Sequence, residues 1–109
     1  RAQISHSIVG VRSLVGDGTM LQRVVMMGAD HYESKASIAK RTEAGEPPIG
    51  IGSNTRIQNA IIDKNARIGN NCIISPAGKE ENCDGDLYYV RDGIVIIPKS
   101  AVIPDNTVI

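Results

Sequence analysis

A chain of 109 residues with twelve basic and twelve acidic side chains is long enough for one modest domain that buries roughly 65% of its unfolded surface, which excludes a two-domain enzyme. Its apolar residues are 16 Ile and 9 Val against 3 Leu, with no Phe and no Trp, a strand composition that excludes a helical bundle. The charge balance leaves no overall field toward nucleic acid or a membrane surface, so a charged ligand must be met by a local cluster.

The N-terminus carries no apolar signal core, and no apolar run approaches the length of a membrane span. Cys72 and Cys83 lack CxxC spacing and disulfide-scaffold density, so a reducing, cytoplasmic setting is expected. The chain opens on Arg1, and an apolar repeat begins at Ile4, so a piece of a longer polypeptide is expected.

The first block, residues 4–28, places Ile4, Val9, Val15, Leu21 and Met26 at spacings of 5, 6, 6 and 5. Residues 29–50 interrupt it, with a short helix predicted over Glu33 to Ala44 and ended by Gly45 and Pro47-Pro48. The pattern returns over 51–74 with Ile51, Ile57, Ile62, Ile68 and Ile74, spaced 6, 5, 6 and 6. A polar, turn-rich second insertion covers 75–93, with Tyr88 and Tyr89. The last block, 94–109, carries Ile97, Ile103 and Ile109, six apart.

A period of six is neither the 3.6 of a helix nor the 2 of an alternating strand, so something turns the chain every six residues. Small or β-branched residues follow most anchors by four positions: Ser13, Thr19, Thr55, Ala66, Cys72, Ala101 and Thr107. Gly10, Gly16, Gly52 and Gly69, or Pro98 and Pro104, follow by one and are expected to make the bends. This is the hexapeptide signature of an all-β parallel β-helix, three hexapeptides to a coil, with two inserted loops. Hexapeptide helices as a class wind left-handedly. The competing β-sandwich predicts strict alternation and Asn-Gly hairpin turns, and the chain contains no Asn-Gly.

A solenoid needs caps. Neither end looks capped, so an upstream domain is expected over the first coil, and open β-helix surface is expected to serve subunit contacts. The GxG pairs Gly16, Gly18 and Gly50, Gly52 fall on repeat turns, without the third glycine and following helix of a phosphate cradle.

The stretches HSIVGVRS, MMGADHYES, PPIGIGSNTRIQNAIIDKNARIG and YYVRDGIVIIPKSAVIPDNTVI resemble the C-terminal β-helix domain of glucose-1-phosphate adenylyltransferase (ADP-glucose pyrophosphorylase), plant and cyanobacterial type. The resemblance spans essentially the whole chain. It implies a parent that makes ADP-glucose and pyrophosphate from ATP and glucose 1-phosphate for glycogen or starch synthesis. That chemistry, with its Mg²⁺, belongs to an upstream nucleotidyltransferase domain, so no catalytic residue, cofactor or metal site is expected here.

The resemblance further implies a regulatory and oligomerisation role within a homo- or hetero-tetramer, and a plastid stroma location in a plant. Its activator lysines correspond to Lys64 in the IIDKN motif and Lys99 in IPKS, sensing an anionic effector such as 3-phosphoglycerate or orthophosphate. The residues add independent support. Each lysine lies two positions after an inward anchor, so both share one outward turn phase, about 5 to 10 Å apart if on neighbouring coils. Asp63 either orients Lys64 or replaces glycine at the turn. Arg12, Arg56, Arg67 and Arg91 are candidates for anion or subunit contacts, or ordinary surface charges.

Other readings are a hexapeptide acyltransferase, with His6 or His31 as general base, and a purely structural assembly module. A trimeric metal hydratase would need three histidine ligands per site, and the chain has two histidines. Cys72 takes a small inward position, and Cys83 is expected as an exposed loop thiol.

Overall fold

A computed structural model describes residues 2–30 and 33–109. The chain coils so that strands of successive turns pair in parallel: β1 (Gln3–Ser5) and β2 (Ile8–Val9) on β3 (Met20–Met26), β3 on β5 (Arg56–Ile62), and β5 on β7 (Ile73–Ile74) and β10 (Ile94–Ile97). A separate sheet stacks β4 (Gly50–Ile51), β6 (Arg67–Ile68) and β11 (Val102–Ile103), also in parallel.

The register puts the anchors into three columns. Ile4, Leu21, Ile57 and Ile74 form the first and Val9, Met26, Ile62 and Ile97 the second, with Val15, Ile51, Ile68 and Ile103 as the third. Ile109 extends the first column through its N–H to Ile73. From Leu21 onward every anchor is buried, the inner ones between anchors on both sides. The first coil lacks one neighbour: Ile4 is 48% exposed, and Val11 and Leu14 are exposed beside it.

The bends differ from the expectation. Each corner turns on one residue in the left-handed region: His6, Arg23 and Asn59 after the first column; Arg12, Asn65 and Ser100 after the second; Asn54, Asn71 and Asn106 after the third. This residue follows its anchor by two positions where the spacing is five and by three where it is six, which accounts for the alternation. Asn tolerates this conformation best among non-glycine residues. Gly16 and Gly52 serve close approach instead: a Cβ on Gly16 would sit 2.6 Å from the Gly52 carbonyl carbon, and one on Gly52 2.7 Å from that of Gly69.

Hydroxyls stitch the third corner from coil to coil. Thr19 donates to the Gly52 carbonyl at 2.6 Å and accepts from the Thr55 N–H at 3.2 Å; Thr55 donates to Gly69 at 2.8 Å and accepts from Cys72 at 3.2 Å. Among the described residues no buried side-chain nitrogen or oxygen lacks a partner.

The first insertion leaves after the second column and returns at the third. It carries α1 (Lys35–Glu43), capped by the Ser34 hydroxyl, which accepts from the Ser37 N–H. No residue of α1 is buried. The second insertion is more ordered than a turn-rich loop: β8 (Cys83–Asp84) and β9 (Tyr89–Arg91) form an antiparallel hairpin whose inner strand pairs with β10. It caps that sheet edge, burying Val90 completely and packing a half-buried Cys83, rather than an exposed thiol, against the core.

Candidate anion-binding corner

The second corner builds one surface from four coils. The Asn65 N–H donates to the Gly28 carbonyl at 3.1 Å, that of Ser100 to Lys64 at 2.9 Å, and that of Ala29 to Val11 at 3.1 Å. Lys64 and Lys99 are therefore vertical neighbours on adjacent coils, one strand spacing of about 4.8 Å apart along the stack. Asp63 is a turn residue: its Oδ1 accepts from the Lys64 N–H at 2.7 Å. Its carboxylate fixes backbone at this corner.

Gly28 occupies on the second coil the phase that Lys64 occupies on the third, so the start of the first insertion joins the corner. Asp30 lies there, its Oδ1 3.4 Å from the Lys64 ammonium, the two side chains 48% and 46% exposed. Sequence reading missed Asp30, because counted from Met26 it falls in the phase of the inward Ala66 rather than that of Lys64. Hydrogen bonds from Asn65 and then from Lys64 hold its carboxyl below the ordinary range, with the charge of Lys99 adding to them. The Asp30 carboxylate thus meets the Lys64 ammonium and feels the charge of Lys99 as well. Asn65 and Ser100 also line a cleft of about 290 Å³ shared with Ser37, Arg41 and Arg67.

Arg67 is neither a surface charge nor a free anion contact. Its guanidinium meets the Glu33 carboxylate through Nη1–Oε1 at 3.1 Å and Nη2–Oε2 at 2.8 Å, the side chains 10% and 5% exposed, and it also donates to the Pro47 carbonyl at 3.1 Å. Glu33 accepts further from the Ile49 N–H and the Ser37 hydroxyl, each at 3.0 Å. Burial pushes the Glu33 carboxyl up, but Arg67 and the two other donors outweigh it and bring it down to about 2. This pair docks the first insertion on the coil.

The other candidates, Arg12 excepted, lie apart from this corner. Arg12 shares it only through its Nε–H to the Ala29 carbonyl at 2.9 Å, and Arg91 pairs with Asp84 at 2.8 Å on the hairpin. Arg56 is exposed on the first face. His6 is an exposed corner residue 2.9 Å from the Ser5 hydroxyl, and His31 lies outside the described residues. Among the described residues no three His, Cys, Asp or Glu side chains converge as a metal site. Among them, too, no helix is long and apolar enough to cross a membrane.

Residues 1–108 match the family described as the GLGC left-handed parallel β-helix domain, which supplies the hand of the coil. The chain is 48% identical over 108 residues to the chloroplastic/amyloplastic glucose-1-phosphate adenylyltransferase large subunit 1 of Zea mays, covering 97% of this chain and 21% of that protein. It is 43% identical over 109 residues to the corresponding small subunit of Triticum aestivum, covering 98% of this chain and 23% of that one. The chain thus spans about a fifth of the length of these relatives.

Proposed function

The chain belongs to the glucose-1-phosphate adenylyltransferase family as its C-terminal left-handed β-helix domain, and on that premise we propose that it senses an anionic effector and helps assemble the enzyme. The parent joins ATP and glucose 1-phosphate into ADP-glucose and pyrophosphate, with Mg²⁺, in a domain outside these residues. By itself the β-helix is inactive. A plastid stroma fits relatives whose names are chloroplastic/amyloplastic.

The observation that carries the reading is the stacking of Lys64 on Lys99 through the Ser100 N–H to Lys64 carbonyl bond. Two ammonium groups on a rigid corner match a phosphate dianion, and the adjacent cleft has room for the rest of a small phosphorylated acid such as 3-phosphoglycerate. Orthophosphate would compete for the same pair. Because Asp30 already engages Lys64, further cations from the catalytic domain complete the site. Effector seated between two domains would favour an active arrangement through differential affinity.

Assembly draws support from two apolar surfaces. One is the first coil, where Ile4, Val11 and Leu14 are exposed and offer a seat for the upstream catalytic domain. The other is an outward ladder on the second face, where Ile8, Val25, Ile61 and Ile96 stand in register. Relatives that are large and small subunits fit a tetramer, homomeric or mixed.

In the full-length enzyme, Lys64→Ala or Lys99→Ala should raise the half-activating 3-phosphoglycerate concentration roughly tenfold or more, as loss of a charge-assisted contact implies. Activation curves that superimpose on wild type for both variants reject the anion site.

A further inference from the structure

Two acidic residues stand three apart at the mouth of the first insertion and meet opposite fates. Glu33 is sealed against Arg67 with every oxygen engaged, whereas Asp30 meets Lys64 in the open, 48% exposed. We propose that Asp30 is a built-in competitor for the effector: its carboxylate occupies the Lys64 ammonium, and a phosphate-bearing anion binds by displacing it. The inference rests on the reading of this corner as an anion site.

Three observations support a competitor over a chance surface pair. First, Asp30 is clamped beside the lysine by the very next residue. Its N–H donates to Asn65 Oδ1 at 3.0 Å, and its Oδ2 accepts from Asn65 Nδ2 at 3.1 Å. Its position therefore does not depend on the lysine, and the ammonium can leave while Asp30 stays. Second, the pair is longer than the buried one, at 3.4 Å against 2.8 Å, and solvated on both sides. Breaking it strands no buried charge, so exchange is reversible. Third, Lys99 adds its field to the same carboxylate, so Asp30 draws on both cations that the effector would use.

A single carboxylate sets a threshold. A phosphate dianion, carrying about two charges, outcompetes it, whereas monoanions gain little over the contact they break. Asp30 thereby favours phosphate-bearing ligands over chloride or simple carboxylates.

The test uses the full-length enzyme, with calorimetric titration of inorganic phosphate and with 3-phosphoglycerate activation. Asp30→Asn keeps an acceptor for Asn65 and removes the charge; it should lower the half-saturating concentration of both anions about two- to fivefold, the range spanned by an exposed ion pair. Asp30→Glu, which keeps the charge, should restore most of the wild-type value. With Lys64→Ala already present, Asp30→Asn should gain clearly less. If Asp30→Asn binds phosphate no more tightly than wild type while Lys64→Ala weakens binding, Asp30 is no competitor and the anion corner stands. Unchanged binding in both overturns both.

Discussion

The two insertions reach the same end, a segment fastened to a β-helix, by opposite physics. The first is docked by a charge pair set between the buried Ala29 and Ile49 at its ends: no residue of α1 is buried, and the Glu33 carboxylate has three donors. The second is docked by an apolar plug, Val90, which enters the core while the hairpin extends the sheet, and its charges, Arg91 and Asp84, stay 48% and 66% exposed. A charge pair places the segment within tight geometric limits but is costly to break and sensitive to pH. An apolar plug has neither property.

The sharpest way to break the comparison is Arg67→Ala, which leaves Glu33 buried without its cation. Removing one partner of a buried pair costs about 3–5 kcal/mol, read as a lowered midpoint in denaturant unfolding. Losses under 1 kcal/mol would mean that the pair is solvated and that the insertion is held by something else.

Acid titration sharpens it further. The Glu33 carboxyl lies at about 2 in the folded chain against its ordinary 4.5. Its stabilisation is therefore complete above pH 4.5 and disappears as pH falls toward 2. The loss is on the order of 2–3 kcal/mol. Glu33→Gln should remove that component of the acid-unfolding curve, and a curve that keeps it would assign the low carboxyl elsewhere.

How much of this was legible follows from the same contrast. The three inward columns could be read because a solenoid repeats one local rule, and a single period exposes every buried isoleucine from Ile51 to Ile109. Lys64 and Lys99 shared a phase for the same reason. The corners were misread, since the bend falls on Asn54, Asn59, Asn65 and their counterparts rather than on the glycines beside the anchors. Contacts that jump the repeat left no periodic trace. Glu33 meets Arg67 across 34 residues, and Leu87-Tyr88-Tyr89-Val90, a strand-favouring run, stood outside the hexapeptide period among turn residues. Asp30 belongs with these: counted from Met26 it takes the phase of the inward Ala66, and only the break in pattern at residue 29 carries it out to Lys64.

The smallest of these effects tests the apolar half of the comparison. Val90→Ala removes two methyl-sized groups from a fully buried site, worth about 1.5–2 kcal/mol at roughly 0.8 kcal/mol per group. The β9 backbone bonds to β10 do not need that side chain, so the hairpin should stay paired while its hold on the core weakens. Amide exchange at Tyr89 and Arg91 should quicken, with the shape of the acid-unfolding curve unchanged, because no titratable group depends on Val90. An altered acid curve in this variant would show that the two insertions are coupled through the coil between them. The charge anchor and the apolar anchor would then be parts of one cooperative unit rather than two independent fastenings.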